Sequence, residues 1–81
     1  MHEVGLARRL LAMALERAGQ EGARRVRGLT VRVGRSAGVS PSALTAHLAL
    51  LARGTPAEGA RLEVEETEGT EVWLASLEVE A

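Results

Sequence analysis

The sequence predicts an α+β domain in which two helices pack on one face of a small three-stranded, mainly antiparallel sheet, in the order α-β-α-β-β. Three observations carry this. Apolar residues recur at helical spacing over 4–20 and 41–53, they alternate with polar residues over 26–33, 60–67 and 71–80, and glycine, proline or serine separates the segments. Eighty-one residues hold one domain with a thin core, so 1–81 is read as a single unit. With 46% hydrophobic and 26% charged residues the chain is too apolar for disorder, and Trp73 is its only aromatic, so the core must be aliphatic.

The first helix is predicted over 4–20. Val4, Ala7, Leu10, Leu11, Ala14, Leu15 and Ala18 gather on one arc at about 100° per residue, opposite Arg9, Glu16, Arg17 and Gln20. Leu6 and Met13 fall outside that arc, on the polar flank. Gly19 and Gly22 supply the stop. Over 26–33 the period becomes two, with Leu29, Val31 and Val33 on one face and Gly28, Thr30 and Arg32 on the other. Ser40-Pro41 is a helix-start signal, because serine caps free amides and proline is tolerated at the first helical position. The second helix is expected from Pro41 to about Arg53, closed by Gly54, with Leu44, Leu48 and Leu51 inward.

Residues 60–67 place Leu62 and Val64 inward, with Arg61, Glu63 and Glu65 outward. Glu68-Gly69 is read as a hairpin tip. The last strand, 71–80, has Trp73, Ala75, Leu77 and Val79 on one face and Val72 and Leu74 on the other. That double-sided apolar start makes self-association into a homo-oligomer an expectation.

Composition excludes several functions. Without cysteine there is no disulfide framework, thiolate zinc site or cysteine nucleophile. No run is long and apolar enough for a membrane span and no signal peptide is visible, so a cytoplasmic protein with no membrane partner is expected. All basic residues are Arg and all acids are Glu. Residues 1–40 carry eight Arg against three Glu, and residues 41–81 two Arg against eight Glu, so the halves attract. Arg24, Arg25, Arg27, Arg32 and Arg35 lack the interleaved aromatics of a nucleic-acid surface. They are read instead as partners for Glu63, Glu65 and Glu78 across the solvent face of the sheet.

Chemistry concentrates at Met1-His2-Glu3. A free α-amine at Met1, the His2 amide nitrogen and the His2 imidazole can close adjacent chelate rings on one ion, and nitrogen donors in a tetragonal plane suit Ni(II) or Cu(II). Glu3 can add an oxygen or neutralise charge. His47, between Leu44 and Leu48 on an apolar arc, has two readings: a packed, hydrogen-bonded residue at the core edge, or a second metal ligand if the fold brings it near the N-terminus. Five residues separate Ser42 from His47, which turns the pair to different faces and argues against a nucleophile with its base.

Five segments in order, Met1-His2-Glu3-Val4-Gly5-Leu6-Ala7, Val31-Arg32-Val33-Gly34, Gly38-Val39-Ser40-Pro41-Ser42-Ala43-Leu44, Gly54-Thr55-Pro56-Ala57-Glu58-Gly59-Ala60 and Leu77-Glu78-Val79-Glu80, resemble the HypA-type nickel metallochaperones of hydrogenase maturation. The resemblance implies a nickel site at Met1, His2 and Glu3, with His2 the indispensable ligand. It implies a non-enzymatic carrier that hands Ni(II) to a hydrogenase-maturation GTPase or a nickel enzyme precursor. The family also carries a zinc domain with two CxxC pairs between the strands ending near Glu66 and beginning near Glu71. Here Thr67-Glu68-Gly69-Thr70 stands in that place, so no zinc is expected and the chain resembles a trimmed member. The family's small apolar residue in the second helix is replaced by His47. The rival reading is a degenerate adaptor that acts by protein contact, with the Leu6 and Met13 flank and the basic stretch as its surfaces.

Overall fold

The computed structural model describes residues 3–81 and contains the expected elements in the expected order: α1 (Glu3–Gln20), β1 (Arg25–Gly34), α2 (Pro41–Leu51), β2 (Arg61–Thr67) and β3 (Val72–Glu80). The sheet is mixed. Its strand order is β2-β1-β3, with β1 parallel to β2 and antiparallel to β3. The hairpin expected at Glu68-Gly69 is therefore not formed. A strand, a helix and a second strand in succession make a crossover unit, and parallel neighbours require such a connection. Both edges of β1 are occupied, so the segment from β2 to β3 crosses over its end. Three backbone bonds fasten that crossing: Gly34 N–H to Glu71 O at 2.7 Å, Arg35 N–H to Thr67 O at 2.7 Å and Ser36 N–H to Gly69 O at 2.8 Å.

Helix ends follow their local chemistry. Past α1, Ala23 N–H donates to Ala18 O and Gly22 N–H to Gly19 O, with Gly22 at φ 71°, which is the paired glycine stop at a helix C-terminus. Ser40 caps α2: its Oγ accepts from Ala43 N–H at 3.2 Å, and Pro41 takes the first helical position.

The core is aliphatic, as composition requires. Leu44, Leu48, Val26, Val31 and Val33 are its largest fully buried side chains, joined by Leu29 and by Leu6, Ala7, Leu10, Leu11, Ala14 and Ala18 of α1. The buried arc of α1 is rotated from the one expected. Leu6 is buried whereas Val4 is exposed, because α1 packs against β1 and β3 as well as α2.

A β-bulge resolves the two-faced appearance of the last strand. Thr30 opposes Ser76 and Val31 opposes Leu74, so Ala75 is an extra residue that shifts the side-chain phase by one. Val72, Leu74 and Leu77 consequently all pack on the core, Trp73 stands opposite Arg32 as an exposed side chain, and Val79, opposite Val26, is left exposed near the strand's end. Val72 and Leu74, from which self-association was expected, thus pack on the core, and Trp73 remains exposed. A second shift at Arg27 does the same for β1, bringing Val26 inward beside Leu29, Val31 and Val33.

The solvent face carries the two charge-biased halves as neighbouring strands. Arg32 pairs with Glu65 at 3.2 Å, Arg27 with Glu80, and Arg61 with both Glu63 (3.5 Å) and Glu78. Arg61 and Glu78 sit on opposite edge strands and reach each other over Gly28, whose missing side chain leaves the gap; a Cβ there would strike the Glu78 carboxylate. All of these pairs are solvated, so each contributes little to stability.

Gly34 has no such flexible neighbour. A Cβ added there would lie 2.6 Å from the carbonyl carbon of Gly69 and 2.8 Å from Glu71 N, in the backbone of the crossing segment. Gly34→Ala should destabilise the domain by roughly 1–3 kcal/mol, the usual scale of overpacking. Gly19→Ala, in open space within α1, should stabilise it by roughly 0.5–1 kcal/mol. Thermal melting of the two variants against the parent checks both signs.

Candidate metal centre

Glu3 is the one member of the expected metal-binding trio that the structure places, since Met1 and His2 lie outside the described residues. It opens α1, where a negative side chain complements the helix dipole. Its Oε2 accepts a hydrogen bond from Ser40 N–H at 3.2 Å, thirty-seven residues away in sequence. Ser40 is the N-cap of α2, so this bond joins the start of α1 to the start of α2. The positive ends of two helices therefore converge on one carboxylate. The Ser40 amide is the main reason that the Glu3 carboxyl is held below its ordinary range, followed by Glu3's own amide; burial opposes the shift, and the nearby His47 adds to it.

His47 lies on α2 and is half-buried. Of its two expected readings, the packed and hydrogen-bonded one finds no partner among the described residues. No nucleophile-base pair forms with Ser42, whose hydroxyl meets the Ser40 hydroxyl at 3.2 Å instead. Among the described residues no group of three His, Cys, Asp or Glu side chains is placed to hold a metal ion.

Beside this junction runs a groove of about 310 Å³ that the sequence reading did not anticipate. Leu6, Leu10 and Met13 of α1 form one wall, Val39 and Val72 face them, and Arg9 supplies its charge. Leu6 and Met13, expected on the polar flank of α1, belong to one concave surface. The exposed Trp73 at its rim was the available signal. The basic stretch, by contrast, is engaged: Arg27 and Arg32 pair as described, Arg35 pairs with Glu68 at 3.9 Å, and Arg25 donates to Glu58 O at 3.1 Å.

Because its folded value is depressed, Glu3 contributes stability that is complete above its ordinary value of 4.5 and is lost as pH falls through the lower folded value. Glu3→Gln keeps an oxygen for the Ser40 amide but no charge. In metal-free protein, denaturant midpoints of parent and variant should differ at neutral pH and converge in acid; a gap that stays constant with pH would contradict the charge argument.

The comparisons with known proteins agree with the geometry. The family model described as hydrogenase/urease nickel incorporation, metallochaperone, hypA matches residues 1–73. The hydrogenase maturation factor HypA of Klebsiella pneumoniae is 44% identical over 73 residues, covering 90% of this chain and 63% of that protein. That of Deinococcus radiodurans is 44% identical over 69 residues, covering 85% and 58%. The chain thus spans about three-fifths of the length of these relatives. Its fold matches the solution structure of the Ni metallochaperone HypA from Helicobacter pylori with a TM-score of 0.88 at 18% identity, over 100% of this chain and 99% of that one. Among the described residues no helix is long and apolar enough to cross a membrane. With the family model matching nine-tenths of its length, the chain belongs to the HypA family of nickel-incorporation metallochaperones.

Proposed function

We propose that this chain is a nickel carrier that binds Ni(II) through the Met1 amine, His2 and Glu3 and passes it to a hydrogenase-maturation GTPase or a nickel enzyme precursor in the cytoplasm. The observation that carries the reading is the bond from the Ser40 amide to the Glu3 carboxylate. It anchors the residue next to His2 on α2, so the donors that precede Glu3 are tethered to a fixed point. Converging helix N-termini also favour negative charge, including that of a deprotonated backbone amide bound to a metal. With no thiolate available, zinc loses the ligands it favours in structural sites. In this reading the four residues 67–70 replace the zinc domain of the longer family members, and residues 1–81 form one nickel-binding domain.

The carrier role is non-enzymatic: the chain holds the ion and releases it. The groove along α1 favours a second reading, an adaptor acting by protein contact without metal delivery, because Leu6, Met13 and Trp73 line or rim an open apolar surface.

Calorimetric and absorbance titration of untagged protein with Ni(II) separates the two. The carrier reading expects saturable binding that disappears in His2→Ala and in a chain extended by one residue before Met1. Unchanged binding in either variant would reject the N-terminal site, and no binding by the parent would favour the adaptor.

A further inference from the structure

The groove beside α1 adjoins an unpaired strand edge. β3 is the outer strand of the sheet and pairs with β1 alone. Its first residues, Val72 and Trp73, line the groove together with Leu6, Arg9, Leu10 and Met13 of α1.

The ladder decides which backbone groups this edge offers. Gly34 N–H donates to Glu71 O, so residues 34 and 71 face each other as a hydrogen-bonded pair. In an antiparallel ladder such pairs alternate with non-bonded ones, whose N–H and C=O turn away from the partner strand. Counting on from Glu71, the outward residues before the bulge are Val72, opposite Val33, and Leu74, opposite Val31. Among the described residues neither makes a backbone hydrogen bond outside that ladder. Natural edges are blunted by charge or proline, and residues 72–77 carry neither. The bulge at Ala75 ends the regular stretch, so the template is short.

The groove adds requirements of its own. Side chains of a strand paired with this edge alternate between the two faces of the sheet. Those beside Val72 on the core face meet Leu6, Leu10 and Met13, a wall that calls for an apolar residue. Arg9 lines the same groove and pairs with no carboxylate among the described residues, unlike Arg27, Arg32, Arg35 and Arg61. An uncompensated guanidinium bordering an apolar groove is complementary to a carboxylate.

We propose that β3 takes up an extended segment of a partner protein, paired with the Val72 and Leu74 backbone, with an apolar side chain against Leu6, Leu10 and Met13 and a Glu or Asp against Arg9. Main-chain bonds hold such a segment, and the groove selects its sequence. None of these residues belongs to the nickel site proposed above, so each reading survives the failure of the other.

The test uses the full, metal-free chain and a synthetic peptide of about seven residues, an ordinary strand length. Threonine alternates in it with two leucines and a glutamate, which therefore share one face. Fluorescence of Trp73, the only tryptophan, and backbone amide NMR follow the titration. Saturable binding is expected, with the largest amide shifts at Val72 and Leu74. Replacing the peptide's glutamate by glutamine, or Arg9→Gln in the protein, should weaken it about tenfold, as for loss of a charge-assisted hydrogen bond, and both changes together no more than either alone. Met13→Gln, at a side chain 50% exposed and so tolerant of change, should also weaken it, and N-methylation of the peptide backbone should abolish it. Circular dichroism checks the fold of the variants; the glutamine peptide tests the charge on the parent protein itself. No saturable change at millimolar peptide, equal affinity for the glutamine peptide, or shifts that spare residues 72–74 would overturn the proposal. So would a dimer in light scattering that buries Val72 and is not displaced by the peptide, which would make a second copy the occupant.

Discussion

Everything in this domain depends on β1 being hydrogen-bonded on both edges. A ten-residue strand that donates and accepts on both sides and buries one face fixes where every other element can go. Its parallel partner β2 can be reached only through a crossover, which places α2 on the core face. Its antiparallel partner β3 must arrive from the far side, which drives the 67–71 segment across the end of β1. The same strand end feeds the loop to Ser40. The cap of α2, the crossing segment and the start of α1 are thereby gathered at one end of the sheet, and Glu3 is found there.

Helices, strands and their order were legible in the sequence because each has a local cause: the 3.6-residue arc of α1, the Ser40-Pro41 start, the alternation around Leu29, Val31 and Val33. Strand pairing has no local cause. The Glu68-Gly69 dipeptide looks the same whether it closes a hairpin or spans a central strand, and only the occupation of both β1 edges decides between them. The apolar residues on both faces of 71–80 were a genuine signal of a register shift, since one extra residue at Ala75 reverses the phase. Leu6 was misplaced for a related reason. A single helical stripe presumes one packing partner, and α1 has three.

The site was partly legible in the same sense. The chelating capacity of Met1 and His2 is a property of adjacent atoms and can be read without a fold. The anchoring of Glu3 to Ser40 and its nearness to His47 are long-range facts, set by how α1 and α2 pack, and no spacing rule connects positions 3, 40 and 47. Charge patterning lies between these cases. The opposite bias of the two halves did become a set of cross-strand pairs, but which Arg meets which Glu was decided by strand order and by the absence of a side chain at Gly28.

The connection between β2 and β3 explains why a chain of this length can form the whole sheet. Its ends are fixed by the ladders on either side of β1, and the three backbone bonds from residues 34–36 hold its path. The ladders do not depend on how much chain lies between Thr67 and Val72, whereas the bonds to Gly69 and Glu71 belong to this short connection. Loop closure grows only slowly with length, by about 0.6 kcal/mol per doubling for a flexible loop. An inserted domain at this point would leave the register of β3 against β1 unchanged, and so does a short turn. The junction of Glu3 with Ser40 draws on α1 and α2, whose packing on β1 does not involve the connection. That a short connection suffices is therefore a topological consequence of where it lies, at the end of a central strand whose neighbours are already set.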